Sequence, residues 1–181
     1  SFKAFTPRVV LNYTPMQDIL LYASLSKGFK SGGYNEPSFT PAPNIAPETL
    51  SSWELGWKTQ FDTIRFNGAA FYYDYKNLQV SFTDQRNNGT TIQNAANAKV
   101  YGLEADVTWA ATRQLEFGAG GGLLSAHYTN FTGGSAYAPN SGTATIPPAA
   151  GCVPGTPSLA CSGLQVVSQD LTDKNLIYAP T

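Results

Sequence analysis

The clearest signal along the chain is alternation. From Trp53 to Phe61, the residues Trp53, Leu55, Trp57, Thr59 and Phe61 fall on one side of an extended backbone, with Glu54, Gly56, Lys58 and Gln60 on the other. That is the period of two required of a strand with one apolar face. From Tyr101 to Trp109 the pattern returns, with Tyr101, Leu103, Ala105, Val107 and Trp109 opposing Gly102, Glu104, Asp106 and Thr108. Leu115 to Tyr128 begins in the same way, and Phe5 to Tyr13 sets Val9, Leu11 and Tyr13 on a common side. Ile19 to Phe29 is an apolar run that fades into Ser26-Lys27-Gly28, which leaves its parity open. Ile64 to Phe82 is long and aromatic-rich. Phe66, Gly68, Ala70 and Tyr72 share a side, but Phe71-Tyr72-Tyr73-Asp74-Tyr75 places rings on both, so a bulge or the start of a water-exposed extension is expected there.

The connections between these six strands alternate in length. Thr14 to Asp18, Asp62-Thr63 and Ala110 to Arg113 are short; Lys30 to Glu48, Asp84 to Ala98 and Asn130 to Lys174 are long. Loops above about 12 to 15 residues are uncommon in compact soluble domains, and one at every second connection separates the two ends of a sheet. Short periplasmic turns and long extracellular loops give outer-membrane barrels this asymmetry. At an offset of 48 positions, Trp53, Leu55, Trp57 and Thr59 fall on Tyr101, Leu103, Ala105 and Val107. The chain therefore reads as all-β, an antiparallel up-and-down transmembrane β-barrel fragment of about six long strands in a curved meander.

Charge placement assigns the two faces. A lysine or arginine at the lipid-facing midplane costs roughly 2–4 kcal/mol, acidic residues somewhat less. Glu54, Lys58, Glu104 and Asp106 are accordingly expected to face a wet or protein-filled lumen, since a one-residue slip would reverse every side chain. Aromatics at or near the ends of the apolar rows suit the two membrane–water interfaces. Six strands cannot close a barrel, which needs about eight, so further strands are expected from elsewhere.

Composition narrows the rest. Only 13% of the 181 residues are charged and the formal net charge is −1, which leaves little electrostatic grip on nucleic acid. The longest apolar run is Ile19 to Ala23, too short for a membrane helix. Cys152 and Cys161 sit in a Pro/Gly/Ser/Ala-rich stretch, and His127 is the only histidine. A metal site would want more ligands, so the cysteines are read as a disulfide tying back the third long loop, in an oxidising compartment. His127 is read as belt company for Tyr128. The Glu104/Asp106 pair is read as lumen polarity in preference to glycosidase carboxylates, and no catalytic set, metal site or cofactor is expected.

Several segments, taken in order, resemble a known family. They are Leu21-Tyr22-Ala23-Ser24-Leu25-Ser26-Lys27-Gly28-Phe29-Lys30-Ser31-Gly32-Gly33-Tyr34-Asn35, Pro47-Glu48 followed by Trp53-Glu54-Leu55-Gly56-Trp57-Lys58, Phe71-Tyr72-Tyr73-Asp74-Tyr75-Lys76-Asn77-Leu78-Gln79-Val80, and Asn94-Ala95-Ala96-Asn97-Ala98 leading to Gly102-Leu103-Glu104. Together they resemble the barrel of TonB-dependent outer-membrane receptors. The resemblance implies a barrel of about 22 strands filled by a plug, with residues 1–181 as part of the barrel domain. The plug, the N-terminal strands, the TonB-contacting box and the final strands would lie elsewhere. It further implies a bacterial outer-membrane location and uptake of a scarce nutrient such as a ferric siderophore, with TonB, outer-membrane lipid and lipopolysaccharide as partners. No enzyme activity is implied. Leu176-Ile177-Tyr178-Ala179-Pro180 fits the run-in to another strand.

Long loops on a rigid wall are common recognition sites. By residue type, Tyr34 and Phe39 in the first, Arg86, Asn87 and Asn88 in the second, and Phe131 and Tyr137 in the third are the candidate substrate-binding residues. The alternative is a secreted β-sandwich ligand- or carbohydrate-binding module, in which the Trp53/Trp57 face packs on a second sheet.

Overall fold

The computed structural model describes residues 2–34, 44–84, 89–139 and 164–176. Its strands are β1 (Arg8–Met16), β2 (Ile19–Lys30), β3 (Glu48–Phe61), β4 (Ile64–Asp84), β5 (Gly89–Ala110), β6 (Glu116–Asn130), β7 (Gly134–Pro139) and β8 (Leu164–Gln169). The first six form one antiparallel meander in chain order, and β7 pairs with β8 in a separate two-stranded sheet. All three short turns lie at one end of the meander, with Asp62 taking a left-handed φ of 35° in the β3–β4 turn.

Register converts the period of two into continuous faces. Trp53 lies opposite Tyr72 and Tyr72 opposite Tyr101; likewise Leu55–Ala70–Leu103, Trp57–Gly68–Ala105 and Thr59–Phe66–Val107. The 48-residue offset in the sequence is therefore a spatial alignment of β3 with β5 across β4. The same face continues through Leu21, Ala23 and Leu25 to Tyr13, Leu11 and Val9 on one side, and through Leu123, Gly121, Ala119 and Phe117 on the other. Parity in β2 is thus settled, with Tyr22 and Ser24 on the opposite, polar face.

The apolar face is uncovered. Leu55 is 63% exposed, Leu123 75% and Trp53 43%, and among the described residues no large side chain is fully buried. The meander is a single layer, so the alternative of a β-sandwich is not what forms: among the described residues no second sheet seals Trp53 and Trp57. Packing on this face runs along the sheet instead, through ring pairs Trp53–Tyr72 at 5.5 Å, Trp57–Phe66 at 5.6 Å and Trp109–Phe117 at 5.7 Å. Such cross-strand pairs contribute roughly 0.2–1 kcal/mol each.

Three details differ from the sequence reading. The stretch from Asp84 to Ala98 is mostly strand: β5 begins at Gly89, and β4 and β5 run 21 and 22 residues as one projecting hairpin. The irregularity expected within residues 71–75 falls beyond Tyr75, where an extra residue in β4, with Asn77 at φ 55°, is offset by an extra residue in β5 near Ala95. Phe71 and Tyr73 need no bulge, because both lie on the polar face and stack at 5.1 Å while Tyr72 lies on the apolar one. Finally, His127 meets Tyr101 edge-on at 5.9 Å, whereas Tyr128 faces the other way and packs on Phe131 at 4.8 Å.

A small core does form, above the apolar band. Ala96, Ala98, Tyr128 and Phe131 are buried there, with Tyr75, Leu78, Val80, Leu171 and Leu176 packed around them. The third long connection returns to this core. The Tyr128 amide donates to the Lys174 carbonyl at 2.9 Å and the Leu176 amide to that of Ala126 at 3.0 Å, so the run-in expected at Leu176 joins the free edge of β6. Residues 177–181 lie outside the described set.

β1 and the lower part of β6 leave long edges whose N–H and C=O groups pair with no neighbour in the sheet. Residues 1–181 alone in water are expected to show no cooperative denaturant transition as a soluble monomer, by circular dichroism with size-exclusion chromatography. A monomer that unfolds cooperatively would contradict this architecture.

Candidate functional site

The polar face carries the charged residues that alternation predicted. Glu54 lies in register with Phe71 and Gly102, Lys58 with Asn67 and Asp106, and Glu104 with Ala69 and Gly122, which places Glu54, Lys58, Glu104 and Asp106 on one face. The Tyr22 hydroxyl donates to Glu54 Oε1 at 2.7 Å, and Lys58 Nζ stands 5.9 Å from the centre of the Tyr22 ring. Asn67 Nδ2 donates to Asp106 Oδ2 at 2.9 Å, and Arg65 Nε to Gln60 Oε1 at 2.9 Å. Charges on this wall are thus steadied by neutral hydrogen-bonding neighbours, and among the described residues no ion pair joins the four. Gly56 lies directly under the Tyr22 ring, where a Cβ would collide with it. Only glycine lets that ring lie flat over β3 and reach Glu54.

At the long-connection end a second set of polar side chains works on backbone. Asn94 Oδ1 accepts from the Ala46 amide at 2.6 Å, while its Nδ2 donates to the carbonyls of Ala46 and Asn77, both at 2.8 Å. Gln79 Nε2 donates to the carbonyls of Ser31 at 3.0 Å and Ala46 at 3.1 Å, and its own amide donates to Glu48 Oε2 at 3.0 Å. Asn97 Oδ1 accepts from the Asn77 amide at 3.1 Å. Gln79 and Asn94 therefore strap both ends of the first long connection to the β4–β5 hairpin. Those ends meet each other as well: Gly33 and Ile45 exchange backbone hydrogen bonds of 3.0 and 2.9 Å, and a Cβ on Gly32 would strike the Ile45 carbonyl.

This strap was invisible as a site in the sequence. Its signal was a set of amide residues, Asn77, Gln79, Asn94 and Asn97, inside segments otherwise suited to strands. Where β4 and β5 rise clear of the apolar band their amides are free to bind backbone rather than alternate with hydrophobics.

The candidate loop residues distribute unevenly. Tyr34 is 79% exposed beside the Gly33–Ile45 bridge. Phe131 is 3% exposed, and its ring anchors the third connection in the small core. Tyr137 lies in β7 opposite Val166. Phe39, Arg86, Asn87, Asn88, Cys152 and Cys161 lie outside the described residues, with positions 86–88 falling between the ends of the β4–β5 hairpin. At the root of the third connection, the Thr172 hydroxyl and then its amide hold the Asp170 carboxyl below the usual carboxylate range.

Comparison with known proteins agrees with this geometry. Residues 1–159 match the family model described as TonB dependent receptor-like, beta-barrel. The pesticin receptor of Yersinia pestis is 24% identical over 121 residues, which covers 65% of this chain and 18% of that protein. Among solved structures, the ferric yersiniabactin uptake receptor FyuA from Yersinia pestis superposes with a TM-score of 0.59 at 22% identity, over 67% of this chain and 18% of that one. The FrpB iron transporter from Neisseria meningitidis (F3-3 variant) gives 0.55 at 15% identity, over 68% and 20%. The chain thus spans about a fifth of the length of these relatives.

Replacing Asn94 with Ala removes the Ala46 amide's side-chain acceptor and leaves its carbonyl to Gln79 alone. The site is exposed to water, so the loss is that of a net hydrogen bond, about 0.5–1.5 kcal/mol. In the full-length protein the Ala46 amide is expected to exchange with solvent severalfold faster, up to about tenfold, read by hydrogen–deuterium exchange, with the β3–β4 ladder near Leu55 unchanged. Unaltered exchange at Ala46 would show that the strap does not hold the connection.

Proposed function

The chain belongs to the TonB-dependent receptor β-barrel family, and from that premise we propose that its six-stranded meander is part of the wall of a bacterial outer-membrane receptor. The whole protein takes up an iron-bearing siderophore, using energy relayed by TonB. The observation that carries the membrane part is the charge-free face: between the Trp53–Tyr72–Tyr101 row and the short turns, β1–β6 present no ionisable Asp, Glu, Lys, Arg or His on that side. From Tyr101 to Trp109 the strand rises about 27 Å at ~3.4 Å per residue. A tilt of ~40° projects this to about 21 Å, near the ~25 Å apolar band of outer-membrane barrels.

The remaining features follow from that placement. Open strand edges cannot persist in hydrocarbon, where each unpaired backbone group costs several kcal/mol. β1 and β6 must therefore be continued by further strands of the same barrel, with the polar face turned to its plugged lumen. The short turns then face the periplasm and the long connections the outside. The strapped first connection and the projecting β4–β5 hairpin would present Tyr34, Phe39, Arg86, Asn87 and Asn88 to the ligand, with Tyr137 on the third connection. Phe131 serves as that connection's anchor, and a Cys152–Cys161 disulfide would brace it. Iron-bearing cargo is favoured by what the relatives are named for, ferric yersiniabactin uptake and iron transport. This is recognition and transport, and no covalent step is assigned to these residues.

The full-length protein, expressed in a host lacking its own siderophore receptors, is expected to restore growth on ferric siderophore under iron limitation only when TonB is present. Growth independent of TonB, or none with any ferric siderophore tried, would overturn the uptake reading. Replacing Leu55 with Arg is expected to cost roughly 2–4 kcal/mol in bilayer refolding, while Lys58→Leu on the opposite face costs far less. Equal effects would show that the two faces have been assigned wrongly.

A further inference from the structure

The projecting part of the β4–β5 hairpin is gripped on both of its faces at the root. Leu78 and Val80 lie on one face, with Ala96 opposite Leu78, and belong to the small core around Phe131. Leu171 and Leu176 return to that core from the third connection. Gln79 and its cross-strand partner Asn94 lie on the other face, where they bind the backbone of Ser31 and Ala46, the two ends of the first connection.

At this level the hairpin has left the ladders of the wall. β3 last pairs with β4 at Thr49–Lys76, and β6 with β5 at Asn97–Asn130. What remains is a plate two strands wide and one layer thick, with the third connection seated on one side and the first on the other. Successive residues of a strand point to opposite faces, so Leu78 and Val80 cannot leave the core without carrying Gln79, which lies between them, off its carbonyls. Asn94 adds a second link. It holds Ala46 on one hand, and on the other its Nδ2 donates to the carbonyl of Asn77, the left-handed residue at φ 55° where the hairpin steps out of the wall's register. Asn97 Oδ1 accepts the amide of the same residue. The step in register, the strap and the core thus share one short stretch of backbone.

We propose that the hairpin root couples the two connections, so that seating of the third through Phe131 and seating of the first through Gln79 and Asn94 reinforce each other. Contiguous packed side chains and hydrogen bonds of this kind transmit such coupling. On the uptake reading, cargo held by one connection steadies the other. The coupling itself depends only on packing and hydrogen bonds, so it stands or falls apart from that reading.

Hydrogen–deuterium exchange on the full-length protein tests it in both directions. The reporters are the Ala46 amide for the first connection and the Leu176 amide, bonded to the Ala126 carbonyl, for the third. Phe131→Ala is expected to speed exchange at Ala46 about fivefold, although Phe131 is not one of the residues that bind Ala46. Leu171→Ala, which trims the same core outside the wall strands, should do likewise. In the reverse direction, Asn94→Ala should speed exchange at Leu176 severalfold. Core variants that alter Leu176 alone, together with Asn94→Ala altering Ala46 alone, would show two independent connections and overturn the coupling. Exchange near Leu55 rising as much as at Ala46 in both core variants would trace the effect to loss of the wall, which also overturns it.

Discussion

Strand register is the constraint on which the rest of this structure depends. Cross-strand partners share a face, so five ladders in fixed register carry the parity of any one strand to all six. Trp53, Tyr72 and Tyr101 form a row only because β3 meets β4 and β4 meets β5 with no slip across the apolar band. A one-residue shift in β4 alone would bring Phe71 and Tyr73 to the apolar face and take Phe71 from its place beside Glu54 on the polar one. Side-chain interactions reinforce the choice on both sides. The Tyr22–Glu54 hydrogen bond fits over Gly56, and the ring of Trp57 lies over Gly68, so each large side chain occupies the space a glycine on the next strand leaves open.

The same register gives way where the surroundings change. From Ile64 to Tyr75, through the apolar band and just past its aromatic row, β4 and β5 pair without interruption. Beyond Tyr75 each strand takes an extra residue, and the two offsets compensate, so the hairpin continues outward. There the driving force for alternation is gone, and the hydrogen-bonding capacity of Asn77, Gln79, Asn94 and Asn97 turns to backbone. The outcome is one unit of hairpin and first connection, held by side-chain-to-backbone bonds instead of by a hydrophobic core. The small core of Ala98, Tyr128 and Phe131 does the corresponding work for the third connection. On the proposed function, this is how a wall built for lipid carries ligand-binding segments that lie outside it.

Much of this was legible from the residues in order. Alternation in Trp53–Phe61 and Tyr101–Trp109 identified the faces, because a chain with one side in an apolar medium must place Glu54, Lys58, Glu104 and Asp106 together on the other. The length asymmetry of the connections gave the six-strand meander, and the 48-residue offset anticipated that Trp53 and Tyr101 share a row. The apolar run of β2 could not be assigned in isolation, since Leu20 and Leu21 are equally hydrophobic; pairing of Leu21 with Trp57 decided it. The extension of β5 through Asn94–Ala98 was missed because a strand outside the apolar band has no reason to alternate. Phe131 looked like a loop aromatic, and only the return of Leu171 and Leu176 to β6 shows it as a core residue.

By itself, then, the order of residues determined the strand class, the parity of the best-patterned strands and the medium each face suits, because those follow from a period of two and the cost of a charge in hydrocarbon. Tertiary structure alone decided which residues stand beside one another. The Asn94 and Gln79 strap, the pairing of Tyr22 with Glu54, and the core shared by Leu78 and Phe131 join positions far apart in the chain. Local pattern carries no record of such contacts, since they arise only when separate strands settle into a common register.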